Sequence, residues 1–317
     1  MRKPKILCVA GPTATGKTAL GVYMCRRFDG EVISCDSMQI YKGMDILSAK
    51  PSDEEMQGIP HHLMGVRDIR EPYSAALFVS DAKKCADDII ARGKVPVLVG
   101  GTGLYYNSFI DNIKFLPDSK DPEIRRELNE RAEREGIDGL FAQLCDTDPE
   151  TAAKIGKSNP SRVLRALEIF LATGTTQSRQ NELSKSEPPV FDHFTAGLKC
   201  ADRKVLYDRC DARVDKMFVQ GLENEVRAVP ELDRSSTAAQ AIGYKELLPF
   251  INGNMSRDEA SSLLKKSTRH YAKRQLTWFL RRTDITWYDI DGYSSFSELE
   301  KDAGDAAEKF LKGDEVQ

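Results

Sequence analysis

Blocks of apolar and polar residues alternate along the first third of the chain. Lys5 to Ala10 is a short apolar run that reads as a buried strand, and Thr18 to Arg27 has helical spacing. Glu31 to Ser34 predicts a second strand, Ala75 to Ala91 a helix, and Val95 to Val99 an almost wholly apolar third strand. Strands separated by helices predict βα units on a parallel sheet.

Beyond Phe115 the texture changes. Residues 121 to 135 are densely charged, and 138 to 155 hold two helix-like stretches. Asn159-Pro160 joins a capping side chain to a proline at the first helical position, which predicts a helix running to Thr173 and stopped by Gly174. Pro188-Pro189 marks a break. Residues 115–198 therefore read as a helical insertion domain, with 1–114 and 199–317 as the core domain and its C-terminal helices. Phe194 to Leu198 predicts a strand returning to the sheet. Helices are expected at Lys204 to Gln220, Thr237 to Phe250 and Arg257 to Arg282, and disorder in the last residues, Glu315-Val316-Gln317.

At 317 residues, 40% hydrophobic and 30% charged, the chain has ordinary globular composition. No apolar run approaches the roughly 20 residues that span a bilayer. Met1-Arg2-Lys3 before Ile6 to Ala10 faintly resembles a secretory signal. Its apolar part is short, however, and Gly11-Pro12 ends it, so a cytoplasmic protein with no membrane partner is expected. The seven cysteines form no Cys-x-x-Cys pair, which predicts free thiols and no zinc. Charge is the more informative quantity. Lys265 to Arg282 contains seven Lys or Arg and no Asp or Glu, whereas the whole chain is −3, leaving −10 elsewhere. Such asymmetry points to a polyanionic partner.

The sharpest motif is Gly11-Pro12-Thr13-Ala14-Thr15-Gly16-Lys17-Thr18, a P-loop pattern between strand and helix. Its glycines let backbone N–H groups face a phosphate, Lys17 neutralises phosphate oxygens, and the Thr18 hydroxyl can ligate Mg²⁺. The expected fold is α/β: a P-loop NTPase-like parallel sheet flanked by helices, with the helical insertion. The motif is shared by nucleotide- and ATP-binding proteins and does not name the phosphate compound. Asp36 leaves the end of the second strand beside the P-loop, as a proton acceptor, an outer partner of Mg²⁺ or a cap. Gly100-Gly101-Thr102-Gly103 follows the third strand, where Thr102 can donate to a phosphate. His61-His62 fits hydrogen bonding better than a metal, because adjacent residues diverge on a strand. Trp278 and Phe279 read as core anchors. Lys266, His270, Lys273 or Arg274, Thr277 and Arg281 fall on one helical stripe suited to nucleic-acid phosphates.

In order along the chain, GPTATGKT (11–18), DSMQIY (36–41), SAKP (48–51), HHL (61–63), YSAALFVSDA (73–82), GGTGLY, NPSRVLRALEI (159–169), RVDKMFVQGL (213–222), QAIGYKE (240–246) and KRQLTWF (273–279) resemble the tRNA dimethylallyltransferase, or tRNA isopentenyltransferase, family. Met64-Gly65 and Leu280 depart from its pattern, away from the proposed chemistry, and the form is bacterial.

The resemblance implies transfer of a dimethylallyl group from dimethylallyl diphosphate to N6 of the adenosine 3′ of the anticodon. It implies that the P-loop, Lys17 and Thr18 with Mg²⁺ hold the diphosphate. Thr102 would bond the bridging oxygen, Arg213 would add positive charge, and Asp36 would be the base. It implies tRNA contacts, in the anticodon stem-loop, from Asp36, Ser37, Met38, Gln39 and Thr102, from Arg125, from Pro160, Ser161, Arg162, Val163 and Leu164, and from Ala241, Ile242, Gly243, Tyr244 and Lys245. Lys273 and Arg274 of the basic stretch join them. A monomer is expected, as no apolar helix face is left over. Rival readings are an isopentenyltransferase acting on free AMP or ATP, a P-loop small-molecule kinase, and an RNA-binding protein without transferase activity.

Overall fold

The computed structural model describes residues 3–115, 121–229, 232 and 236–313. The expected disorder of 315–317 lies outside them. The chain divides into two compact units, Met1–Ile110 with Val190–Gln317, and Asp111–Pro189.

The first unit holds a six-stranded parallel sheet, with strands β1 (Lys5–Ala10), β2 (Gly30–Ser34), β3 (His61–His62), β4 (Val95–Gly100), β5 (Asp192–Lys199) and β6 (Thr286–Asp289) in the order β3-β2-β4-β1-β5-β6. Because β5 pairs with β1 over its length, the boundary expected at 198 moves back to Val190. Two elements here were not expected from sequence, the edge strands β3 and β6.

Helices α1 (Lys17–Phe28), α2 (Asp53–Met56), α3 (Ala75–Ala91) and α4 (Gly103–Ile110) follow the first strands. The second unit is helical: α5 (Pro122–Glu135), α6 (Ile137–Thr147), α7 (Pro149–Ile155), α8 (Pro160–Thr173) and α9 (Gln177–Ser184). The first unit resumes with α10 (Arg203–Val219), α11 (Leu222–Ala228), α12 (Tyr244–Ile251), α13 (Arg257–Phe279) and α14 (Phe296–Lys312). The helix expected from Thr237 to Phe250 is split into a short 3-10 turn, Ala238–Gln240, and α12.

Alternation along the strands sends side chains to two layers. Ile6, Cys8 and Ala10 pack on one face with Phe78 and Ala82 of α3 and Tyr105 of α4. Leu7 and Val9 pack on the other with Leu20 and Met24 of α1 and Leu299 and Ala303 of α14. In the second unit, Leu128, Leu140, Leu144, Val163 and Leu167 form a separate core. Each of α5, α7 and α8 begins with an Asp or Asn cap and a proline in the first turn, so their starts are fixed locally.

Register places the chemistry. Ala10 pairs with Gly100, and Ser34 with Val99, so the turns after β1, β2 and β4 leave one sheet edge together.

Candidate active site

A cavity of about 690 Å³ opens at that edge. The P-loop forms one wall, Asp36 to Gln39 a second, and Arg213, Tyr271 and Arg274 a third. Gly11 must be glycine: its φ is +140° and a Cβ would stand 2.3 Å from the Leu198 carbonyl oxygen. Gly16, at φ +91°, starts α1 without a capping side chain, so the first-turn N–H groups stay open beside Lys17 and Thr18.

Not every P-loop group faces the cavity. The Thr15 hydroxyl donates to the Pro12 carbonyl at 2.9 Å, and Thr13 N–H donates to Gln275 Oε1 at 2.9 Å. That N–H is therefore already spent within the protein.

Lys17 Nζ donates to the Pro12 carbonyl at 2.7 Å. Burial, then the neighbouring Arg213 charge, lowers its pKa to about 8, against the opposing pull of Asp36. Burial also pushes the Arg213 pKa down, again opposed by Asp36. Arg213 makes no hydrogen bond or ion pair among the described residues. Two cations held close together at a cost, with no salt-bridge partner, form a preorganised anion site.

Asp36 Oδ1 accepts from the N–H groups of Met38 at 2.8 Å and Gln39 at 3.3 Å. Oδ2 takes no hydrogen bond among the described residues, so a carboxylate of fixed orientation lines the cavity with one oxygen to spare. Gln39 spends its amide on Ser34 at 2.8 Å and the Ala49 carbonyl at 3.3 Å.

Thr102 Oγ accepts from Ser37 N–H at 3.0 Å and so braces the Asp36 turn, between Ser37 and Tyr271 of the cavity wall. The glycines around it are pressed by close protein neighbours, and Gly100 also lines the cavity. A Cβ on Gly100 would stand 2.1 Å from the Cys35 carbonyl oxygen, on Gly101 2.2 Å from Gln275 Nε2, and on Gly103 2.2 Å from Trp278.

Of the segments expected to contact tRNA, several turn their side chains inward. Val163 and Leu164 lie in the core of the helical unit, while Pro160, Ser161 and Arg162 are exposed at the start of α8. Arg125 is tied to the buried Glu168 at 3.2 Å, which Arg165 also meets at 3.0 Å. Ala241, Gly243 and Tyr244 are buried, and Tyr244 Oη accepts from Leu232 N–H at 3.2 Å. Ile242 and Lys245 line the cavity.

The basic stretch lies mostly on α13. Lys265 pairs with Asp215 at 2.6 Å, Arg269 with both oxygens of Asp211, and Arg282 with Asp284. Lys266, His270, Lys273, Thr277 and Arg281 stay exposed along one face, and Lys266, Lys273, Arg274 and Arg281 have no ion pair among the described residues. Arg274 lines the cavity and stacks over Tyr271 with 5.6 Å to the ring centroid. Trp278 packs on Gly103 and Phe279 is fully buried. His62 meets the buried Glu31 at 2.8 Å and His61 Nδ1 meets the Ile59 carbonyl at 2.8 Å. Among the described residues, no cluster of three or more His, Cys, Asp or Glu could hold a metal.

Sequence reasoning missed Tyr271 and Gln275. Leu264, Thr268, Tyr271, Gln275 and Phe279 share the inner face of α13 at helical spacing. A glutamine on such a face needs partners, and that was the available signal.

Strand, P-loop, uncapped helix and neighbouring carboxylate define a P-loop α/β protein with a cationic cavity at the sheet edge. The IPP transferase family model matches residues 39–283. A tRNA dimethylallyltransferase of Exiguobacterium sp. is 44% identical over 98% of each chain, and one of Oceanobacillus iheyensis is 44% identical over 91% of this chain and 92% of its own. The chain belongs to the tRNA dimethylallyltransferase family. The crystal structure of the tRNA isopentenylpyrophosphate transferase of Bacillus halodurans superposes with a TM-score of 0.70 at 40% identity, covering 98% of this chain and 96% of that one. A eukaryotic dimethylallyltransferase acting on tRNA gives 0.82 at 28% identity, covering 99% and 81%. Among the described residues, no helix is long and apolar enough to cross a membrane.

Proposed function

We propose that this protein transfers the dimethylallyl group of dimethylallyl diphosphate to N6 of the adenosine 3′ of the anticodon in tRNA. The observation that carries this reading is the unpaired Arg213 beside Lys17, lining one cavity with Asp36, whose charge acts on both. Diphosphate rests on the open N–H groups of α1, on Lys17 and on Arg213, which together stabilise the charge left on its bridging oxygen. The adenine leaves its stack to enter the cavity. Its exocyclic nitrogen attacks C1 of the dimethylallyl group, the C–O bond breaks with its electrons on the diphosphate, and the N6 proton passes to Asp36. Oxygen donors suit Mg²⁺, which the Thr18 hydroxyl would ligate, with Asp36 at one remove. When bound, the ion neutralises charge on the leaving diphosphate.

Transfer RNA lies along the exposed cations of α13, with Lys245 as a further contact. The protein works as a cytosolic monomer, since its polyanionic substrate is there. The test is incubation with bulk tRNA and dimethylallyl diphosphate, with AMP in parallel, followed by nucleoside mass analysis. A product on tRNA and none on AMP is expected. A product on AMP alone, or ATP consumption without prenyl transfer, overturns the reading.

Lys273→Ala removes one exposed phosphate contact. Affinity should weaken across all tRNA sequences alike, and the slope of log affinity against log salt should flatten by about one unit or slightly less. Diphosphate binding should not change. An unaltered salt slope would make this face of α13 a bystander.

A further inference from the structure

We propose that Gln275 is a positioning residue: it ties the P-loop to the turn after β4 and so fixes the shape of the diphosphate cradle. This rests on reading the cavity as the diphosphate site. Gln275 is 6% exposed on the inner face of α13. Its Oε1 accepts from Thr13 N–H at 2.9 Å, and its Nε2 donates to the Gly101 carbonyl at 2.9 Å. One amide thus spans two turns that leave neighbouring strands, at the point where the β1–β4 ladder ends at Ala10 and Gly100. The bonds also settle the amide orientation, because the nitrogen alone can donate to a carbonyl.

Two features show how closely the contact is built. Gly101 approaches until a Cβ would stand 2.2 Å from Gln275 Nε2 and 3.1 Å from the Gly11 carbonyl oxygen. The P-loop N–H it holds is that of Thr13, so the loop's curvature is set by the protein before any ligand arrives. A cradle shaped in advance loses less on binding and keeps its N–H groups aimed where charge develops. Arg209 Nε adds a second brace, donating to the Ala14 carbonyl at 2.7 Å, on a residue whose φ is +66°.

The experiment measures inorganic pyrophosphate binding by calorimetry for wild type, Gln275→Leu, Gln275→Glu and Gly101→Ala, with a thermal melt on each. Lys17, Asp36, Arg213 and Arg274 line the same cavity and Arg209 bonds its rim, so each variant is read as a ratio to wild type at the same pH. Gln275→Leu loses both bonds and should bind about ten- to a hundredfold more weakly at every pH, at about 1 kcal/mol per bond. Gly101→Ala should match it by pushing the amide away, and the double variant should lose no more than either alone. Gln275→Glu supplies the sharper readout. Ionised at pH 8, it sets an oxygen against the Gly101 carbonyl and should bind weakly. Protonated near pH 5.5, its O–H donates as the amide did and affinity should return towards wild type. Transfer RNA affinity should stay level throughout. If wild type does not bind pyrophosphate, the cavity reading fails and this inference with it. If wild type binds while folded Gln275→Leu or Gly101→Ala binds equally well, or Gln275→Glu shows no recovery at low pH, the positioning role alone is overturned.

Discussion

Asp36→Asn should lower turnover about a hundredfold or more while diphosphate affinity holds or tightens slightly. The substitution is nearly isosteric. The asparagine oxygen can keep accepting from the N–H groups of Met38 and Gln39, so the turn retains its shape. What disappears is the proton acceptor. The exocyclic amine of adenine has a delocalised lone pair, and positive charge grows on it as it attacks. Without a base, that charge must be carried through the transition state. Diphosphate binding responds in the opposite sense, since Asp36 is the negative charge that offsets Lys17 and Arg213. Removing it leaves the cradle more positive. Single-turnover transfer and pyrophosphate calorimetry at pH 7 separate these effects. Normal turnover would reduce Asp36 to a cap for its turn. Lost pyrophosphate binding would mean that it acts through a metal ion.

Much of this site was legible because it is local in sequence. The P-loop lies within eight consecutive residues, and Asp36 and Gly100 each follow an apolar strand, so the parallel sheet puts all three at one edge. What was not legible depends on which way a face turns. The cations of α13 advertise its outer face, yet its inner face carries Tyr271 and Gln275 to the cavity, and spacing alone does not rank the two. The glycines of 100–103 matched a phosphate-binding turn, but each is required by a neighbour far along the chain, at Cys35, Gln275 or Trp278. The bond between Thr102 and Ser37 likewise joins residues far apart in the chain. Val163, Leu164 and Tyr244 lie in segments expected to touch RNA, and their apolar bulk is used in cores. The helix α14 went unread although Phe296, Leu299, Ala303 and Ala307 recur at helical spacing, because charged residues crowd the intervals. The strand β3 holds two histidines and is defined by its pairing with β2 alone.

Lys17→Ala should slow transfer by roughly 3 kcal/mol of lost transition-state stabilisation, the size expected for one preorganised donor to a leaving group. The structure adds a pH signature to that loss. With its pKa lowered to about 8, Lys17 in the free enzyme is charged at pH 7 and largely neutral by pH 9. Diphosphate prefers the charged form and raises the pKa when bound. Below pH 7 binding therefore takes up no proton at this site, and affinity is flat. Above about 8 each binding event must protonate Lys17, so affinity falls towards tenfold per pH unit. The ligand's own ionisation is removed by comparison with Lys17→Arg, which stays charged across this range. Wild type and Lys17→Arg should run parallel up to about pH 7.5 and then diverge, wild type falling the faster. Calorimetry from pH 6.5 to 9.5 reads the difference directly. Curves parallel to pH 9.5 would show that Lys17 keeps its proton in the free enzyme, or that it stays on the Pro12 carbonyl and leaves the diphosphate to Arg213 and the α1 N–H groups.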